Sequence, residues 1–209
     1  MNEPSAISVD PAASIVEDAA LVHAIVQGEM QALETLFNKY QASVYQTAYG
    51  VTRDAQVAEE VLQDVFFRLY RFADRINGAL PLAPWLYRVT INLCYNRFKG
   101  LRMWTDSFHE LAERLFAPPH ESPERAAEQH ELQALLQAAL GELEPKQRAV
   151  LVLRYLHEYN IAEIAEIMGL PEGTVKSRLF HARKVLRQRL EYRYGTPDLL
   201  LPDPVSSSF

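Results

Sequence analysis

The segment "GTVKSRLFHARKVLRQRL", Gly173–Leu190, is a strongly basic stretch in a chain whose formal net charge is -6. Its apolar residues recur at intervals of three and four, which predicts one buried stripe along an α-helix. The members of that stripe are Val175, Leu179, Ala182, Leu186 and Leu190. The same spacing places Lys176, Ser177, Phe180, His181 and Lys184 on the opposite side, with Arg178 and Arg183 on the flanks. The segment therefore predicts an amphipathic helix with a basic outer face.

A shorter helix is predicted directly before this basic helix. Ile161, Ile164, Ala165 and Met168 share one face, and "GLPEG" follows them, with Gly169 suited to a left-handed C-cap. Two helices joined by a short glycine turn, the second of them basic, are typical of a helix-turn-helix whose second helix enters a DNA major groove. A basic face can also be merely solvated, but the preceding helix and the turn favour the DNA interpretation.

The remainder of the chain is also predicted to be helical, because its apolar residues follow helical spacing. One block covers residues 18–103 and a second covers 131–194, with tails at 1–17 and 195–209. Between the blocks, residues 104–130 include "FAPPHESPERAAEQHE", in which prolines interrupt any continuous helix and glutamates dominate the charge. The sequence predicts an all-α protein of two small helical domains joined by an acidic linker that contains proline.

Composition limits the compartment and the chemistry. The chain has one cysteine, Cys94, so it forms no internal disulfide, and no Cys/His cluster has the spacing of a zinc site. The first Lys or Arg is Lys39, unlike in a signal peptide, and no apolar run approaches the roughly 18 residues of a membrane span. Histidines are scattered, and no phosphate-binding loop or nucleophile motif occurs. We predict a cytoplasmic protein without membrane span, metal or cofactor, which is not an enzyme and has no catalytic residues.

A second face suited to nucleic acid is predicted within "WLYRVTINLCYNRFKGLR", residues 85–102. Its buried stripe is Leu86, Val89 and Leu93. Another face carries basic, amide and aromatic groups at steps of three and four: Arg88, Asn92, Tyr95, Lys99 and Arg102. Such a mixture suits a separated strand, because unstacked bases lie on aromatic rings while cations hold the backbone. A polar helix face with a half-buried tyrosine is the alternative interpretation.

The predicted helix from Ala58 to Phe72 has an aromatic residue on its polar side. Opposite its apolar stripe lie Glu60, Gln63, Asp64, Phe67 and Arg71. An aromatic side chain among charged groups indicates a docking surface for a protein, although single exposed apolar residues are also common.

Together these segments resemble the bacterial RNA polymerase sigma factors of the extracytoplasmic-function (ECF) group, in the sigma-70 family. "AEEVLQDVFFRLYR" (58–71) resembles the helix of the family that binds the polymerase clamp, and "APWLYRVTINLCYNRFKG" (83–100) resembles the helix that melts and reads the −10 promoter element. The segment "LEPKQRAVLVLRYLHEYNIAEIAEIMGLPEGTVKSRLFHARKVL" (143–186) resembles the domain that reads the −35 element.

This resemblance implies a role for each of the three surfaces. Binding to core RNA polymerase would involve Glu60, Gln63, Asp64 and Phe67. The melted −10 element would be held by Arg88, Asn92, Tyr95, Asn96, Lys99 and Arg102. The −35 duplex would be read by Lys176, Ser177, Phe180 and His181, with Arg178 and Arg183 at phosphates and Lys184 also in contact with this DNA. The resemblance also implies an anti-sigma factor as a partner. His181 stands where the family often has arginine, and Asn96 where many members have aspartate.

One function of another class is consistent with the helix-turn-helix alone. An autonomous transcriptional regulator with a helical sensor domain would bind duplex DNA tightly without polymerase, usually as a dimer on a symmetric site. In such a regulator, the face around Asn92 and Tyr95 that suits single-stranded nucleic acid would have no role.

Overall fold

The computed structural model describes residues 11–100 and 138–194, with side chains at 13–98 and 138–188, and every regular element in those ranges is helical. The chain forms two compact units. Of the described residues, the first unit contains those from 11 to 49 and Gln56–Gly100, and the second contains Gly50–Ala55 and those from 138 onward. This confirms the prediction of an all-α protein with two small helical domains. The predicted linker at 104–130 and the C-terminal tail at 195–209 lie outside the described residues.

The described ranges contain seven α-helices of seven or more residues. They are α1 Pro11–Val26, α2 Met30–Thr52, α3 Ala55–Phe72, α4 Leu82–Gly100, α5 Pro145–Leu151, α6 Ile161–Met168 and α7 Glu172–Tyr194. A 3₁₀ turn, Ala73–Arg75, follows α3, and a turn of π-helix, Val152–Leu156, follows α5. Residues 138–141 are also helical. None of the helices in these ranges is both long and apolar enough to cross a membrane.

The core of the first unit is built from the apolar stripes of α2, α3 and α4. Its fully buried residues include Leu36, Val44, Val61, Val65, Leu69 and Leu86. These residues recur at helical spacing in the sequence, so burying them determines how each helix is rotated about its axis. The predicted buried stripe of α4 differs at one residue, because Val89 is only half-buried. Its neighbour Thr90 is fully buried instead. The Thr90 hydroxyl donates to the carbonyl oxygen of Leu86 (2.8 Å), which satisfies that buried polar group within α4.

Helix α1 begins earlier than the sequence predicted. The predicted N-terminal tail reached residue 17, whereas the helix starts at Pro11. Proline favours the first helical position, where its missing N–H has no partner to lose and its fixed φ suits a helix. The alanine-rich sequence that follows carries Val22 and Ile25 into the core.

A buried carboxylate connects α1 to α2. Asp18 is buried, and it accepts hydrogen bonds from Lys39 Nζ (2.6 Å) and from the Tyr40 hydroxyl. Burial by itself would lower the pKa of Lys39, but its hydrogen bonds and ion pairs with Asp18 and Glu17 outweigh that effect and raise the pKa. The ammonium group therefore stays charged throughout the neutral range, and the buried carboxylate keeps its counter-charge.

The second unit contains the predicted helix-turn-helix, in α6 and α7. Asn160 caps α6, since its Oδ1 accepts from the Glu163 backbone N–H (3.0 Å) while Glu163 Oε2 accepts from the Asn160 N–H (2.7 Å). Gly169 ends α6 at φ 62°, the left-handed conformation that glycine adopts without strain. Both the helix bounds and this cap confirm the prediction from the "GLPEG" turn.

The inner face of α7 is also as predicted. Val175, Leu179, Ala182 and Leu186 are buried, and α7 packs on α5 and α6. The side chain of Leu190, the last predicted member of this stripe, lies outside the described residues. Because the apolar stripe faces these two helices, the basic residues are directed away from the unit.

The π turn places His157 in a partly buried position at its end. The His157 N–H donates to the carbonyl oxygen of Val152, five residues earlier, at 3.2 Å. Burial lowers the pKa of His157 to about 4. The imidazole is therefore neutral in the folded protein down to acid pH, whereas in the unfolded chain it takes up a proton near pH 6.5.

This difference predicts a loss of stability in acid. Below pH 6.5 the unfolded state binds more protons than the folded state, so the free energy of unfolding falls as the pH drops from 6.5 to about 4 and is unaffected by this group above that range. The expected contribution is about 2–3 kcal/mol. Urea denaturation at pH 7, 5.5 and 4 should show His157→Gln losing less stability than the wild type. The exposed His23, replaced by glutamine, serves as the control, and equal pH dependence in both variants would contradict the prediction.

Candidate docking and nucleic-acid surfaces

The outward face of α3 carries the residues predicted to contact a protein. Phe67 is 60% exposed and Gln63 is exposed, while Glu60 and Asp64 are half-buried. Asp64 and Phe67 line a shallow groove of about 400 Å³ together with Arg68, Arg71 and Phe72. An aromatic side chain left in water beside a groove and charged groups is typical of an interface residue, because its burial by a partner would remove apolar surface from water.

Arg97 of α4 contacts two of these predicted docking residues. Its Nη2 donates to Asp64 Oδ2 at 2.8 Å, and its Nη1 donates to Glu60 Oε2. The hydrogen bond to Asp64 is the largest cause that raises the pKa of Arg97, and the charge of Glu60 adds to it. Arg97 was not among the residues that the sequence patterns predicted to be functional. The four-residue spacing of the two carboxylates on α3 was a signal for a shared cation, but the sequence did not indicate which arginine would reach them.

The outward face of α4 carries the residues predicted to hold a single strand. Arg88, Asn92 and Asn96 are exposed, and Tyr95 is half-buried. The side chain of Lys99 and all of Arg102 lie outside the described residues. Leu86 and Leu93 are buried on the opposite side, which fixes this orientation. The described part of the face thus offers one cation, two amides and a partly accessible ring.

The outward face of α7 carries the residues predicted to enter a major groove. Lys176, Ser177, Phe180, His181 and Lys184 are exposed, and the flanking Arg178 and Arg183 are half-buried. Phe180 is 63% exposed, and its ring packs edge-on against His181 with 5.6 Å between ring centroids. The two rings are nearly perpendicular, and both are exposed in the middle of a basic face.

One cation of this face has an acidic neighbour. Lys176 Nζ lies 3.4 Å from Glu172 Oε2, one helical turn earlier on α7. Glu172 stands in the first turn of α7, where a carboxylate also interacts favourably with the N-terminal end of the helix dipole. Both side chains are largely exposed, so this ion pair is weak and Lys176 remains available to a phosphate.

Two family models match the chain. Residues 36–103 match sigma-70 region 2, and residues 133–186 match sigma-70 region 4. Together they span more than half of the 209 residues. Region 2 contains the outward faces of α3 and α4, and region 4 contains the outward face of α7. The chain belongs to the sigma-70 family. This confirms the resemblance that the three sequence motifs indicated.

Curated relatives place this sigma factor in the ECF group. It is 31% identical over 182 residues to the RNA polymerase sigma-H factor of Pseudomonas aeruginosa, a match that covers 84% of this chain and 94% of the relative. It is also 31% identical over 175 residues to the ECF RNA polymerase sigma factor SigM of Mycobacterium tuberculosis, covering 84% of this chain and 85% of the relative. Both matches extend beyond the residues that the two family models match.

Solved structures show the same fold. The sigma factor RpoE of Bartonella quintana, crystallised with the anti-sigma factor NepR, superimposes with a TM-score of 0.59 at 20% identity, covering 77% of this chain and 97% of that one. At this identity the likeness concerns the fold alone. Members of the family are transcription initiation factors rather than enzymes.

Proposed function

We propose that this sigma factor binds core RNA polymerase, directs it to promoters with specific −10 and −35 elements, and promotes opening of the −10 region. The observation that carries the proposal is the presence of both sigma regions in one chain, each with the exposed face that its role requires. The protein would perform no covalent chemistry, would need no cofactor and would act in the cytoplasm.

The polymerase contact in this proposal is the α3 face: Glu60, Gln63, Asp64 and Phe67. The exposed ring of Phe67 beside the groove supplies the apolar anchor, and the carboxylates select a partner with basic side chains around an apolar pocket. The orientation of the face is set by the buried stripe of α3, so the contact residues are in place before binding. Little conformational entropy is then lost at that step.

The −10 contact in this proposal is the α4 face: Arg88, Asn92, Tyr95 and Asn96, with Lys99 and Arg102 beyond them. Amides read the edges of unstacked bases, and an aromatic ring stacks on them. These partners exist only after the duplex has opened. Binding them therefore shifts the equilibrium towards the melted promoter without any input of chemical energy.

The −35 contact in this proposal is the α7 face. Lys176, Ser177, Phe180 and His181 would face base edges, and Arg178, Arg183 and Lys184 would contact phosphates. Each phosphate contact adds about 0.9 to the slope of log K against log salt for duplex DNA, whereas one good base contact discriminates by about 1–3 kcal/mol. Affinity would therefore depend mainly on the flanking cations, and promoter choice on the few central side chains.

Regulation by an anti-sigma factor is part of the same proposal. The structural neighbours include a sigma factor bound to the anti-sigma factor NepR, and also CnrH bound to the cytosolic domain of CnrY. A protein that covers Phe67 or the α7 face would block one of the contacts described above. We therefore expect a protein inhibitor that competes with polymerase or with promoter DNA.

Two measurements on the full chain test the proposal. Size-exclusion chromatography with core RNA polymerase should give stoichiometric co-elution at moderate salt. Transcription of fragmented bacterial genomic DNA by that complex, followed by mapping of RNA 5′ ends, should give new start sites that share two upstream motifs at a fixed spacing. Failure to associate, together with tight binding of the chain alone to duplex DNA, would overturn the proposal and leave the autonomous regulator.

A further inference from the structure

The outward face of α3 changes its sign of charge along the helix axis. Glu60, Asp64, Phe67 and Arg71 follow one another at steps of four, three and four, so they form one row on the helix. The row is about 16 Å long, since a helix rises by about 1.5 Å per residue. It begins with two carboxylates and ends with a guanidinium, and Phe67 separates them. A partner that covers Phe67 therefore meets both signs of charge.

The C-terminal end of this face carries the larger net charge. Arg97 donates to both Glu60 and Asp64, which leaves the acidic part of the row with one net negative charge. The other end, called the basic end below, has three exposed arginines and one exposed carboxylate: Arg68, Arg71, Arg75 and Asp74. Among the side chains that the structure describes, the ion pair at this end joins Arg75 Nε to Asp74 Oδ2 at 4.0 Å. Two net positive charges therefore remain for a partner.

A second groove lies beside the basic end. It has a volume of about 530 Å³ and is formed by the C-terminal ends of α1 and α3. Val26 and Tyr70 line it, and their side chains are 46% and 47% exposed. Arg71 and Phe72 line this groove and also the groove beside Phe67. The two grooves are therefore adjoining parts of one surface, which is apolar at its base and basic at its rim.

We propose that the polymerase element that covers Phe67 continues into this second groove and presents carboxylates to the basic end. This inference rests on the proposed function and specifies the chemistry of the partner. The element carries apolar side chains, with basic groups opposite Glu60 and Asp64 and acidic groups about 16 Å further along α3. The reverse orientation would bring like charges together, so the element binds in one direction. The arginines of the basic end then determine orientation as well as affinity.

The test measures binding of the full chain to core RNA polymerase in the absence of DNA. Fluorescence titration of labelled protein at low and moderate salt gives the affinity. Arg71→Gln and Arg75→Gln should each weaken binding by about three-fold or more at low salt, whereas Arg71→Lys, which keeps the charge, should retain most of the affinity. The loss should shrink as salt is raised, because salt screens charge pairs. Since no DNA is present, phosphate contacts cannot produce this result.

Asp74→Asn is the matched control for Arg75→Gln. Both substitutions remove one charge from neighbouring exposed side chains in the 3₁₀ turn after α3, but the two charges have opposite signs. Asp74→Asn should therefore bind polymerase at least as tightly as the wild type. Lys146→Gln removes an exposed cation from the second unit and should leave binding unchanged. Thermal melting of every variant checks that each is folded.

Three outcomes separate this inference from the proposed function. Wild-type affinity of both Arg71→Gln and Arg75→Gln would overturn the inference, because the polymerase would then not reach the basic end. Equal weakening by Asp74→Asn and Arg75→Gln would also overturn it, since the shape of the turn rather than its charge would matter. Failure of the wild type to bind polymerase would instead overturn the proposed function.

Discussion

Replacing Phe67 by alanine is expected to weaken binding to core RNA polymerase by about 30-fold or more, the effect of losing about 2 kcal/mol at an interface hot spot. The ring is 60% exposed in the free protein, so the substitution removes apolar surface that only a partner would bury. Stability should change little, within about 0.5 kcal/mol, because the ring contributes little to the core. Fluorescence titration of labelled protein with core polymerase measures the affinity, and thermal melting measures the stability.

Two other alanine variants make this result specific to the α3 face. Val16 is 71% exposed on α1, and Val16→Ala should leave polymerase binding unchanged. Phe180 is an equally exposed aromatic residue on α7, and Phe180→Ala should keep polymerase binding while reducing transcription from promoters that depend on a −35 element. If Phe67→Ala binds polymerase like the wild type, α3 does not carry the contact.

Sequence periodicity predicted which side chains of this protein are exposed better than it predicted which side chains of different helices contact each other. The three- and four-residue spacing of Val175, Leu179 and Ala182 specifies which side of α7 is buried, and that choice directs Phe180 and Lys176 outwards. The same reasoning predicted that Phe67 is exposed on α3, and the structure confirms it. Helical spacing succeeds here because burial of one stripe determines the direction of every other side chain on the helix.

Contacts between helices could not be read from that spacing. The pairing of Arg97 with Glu60 and Asp64 depends on how α3 and α4 pack, and several other arginines precede or follow these carboxylates in the sequence. The π turn at Val152–Leu156 was also not predicted, since an added residue in a helical turn leaves no clear signal in composition. Local patterns determine the helix faces, whereas tertiary packing decides which charged groups meet.

Replacing Leu86 by alanine is expected to destabilise the first unit by about 2–5 kcal/mol, because it removes buried methyl groups and leaves a cavity. Leu86 is 0% exposed, and it lies on α4 beneath the face that carries Arg88 and Asn92. The same change at Leu80, which is 58% exposed just before α4, should cost no more than about 0.5 kcal/mol. The two variants therefore compare the same leucine-to-alanine substitution at a buried and at an exposed position.

Trp85, next to Leu86 on α4, allows this loss to be assigned to the first unit. The chain has two tryptophans, so a Trp104→Phe background leaves Trp85 as the sole indole emitter. Urea titration of its fluorescence should show a lower midpoint with Leu86→Ala and an unchanged midpoint with Leu80→Ala. If Leu86→Ala does not fold, Leu86→Val should show a smaller shift in the same direction. Equal midpoints for the two alanine variants would contradict the packing of α4, and with it the orientation of the strand-binding face, since burial of Leu86 is what directs Arg88 and Asn92 to solvent.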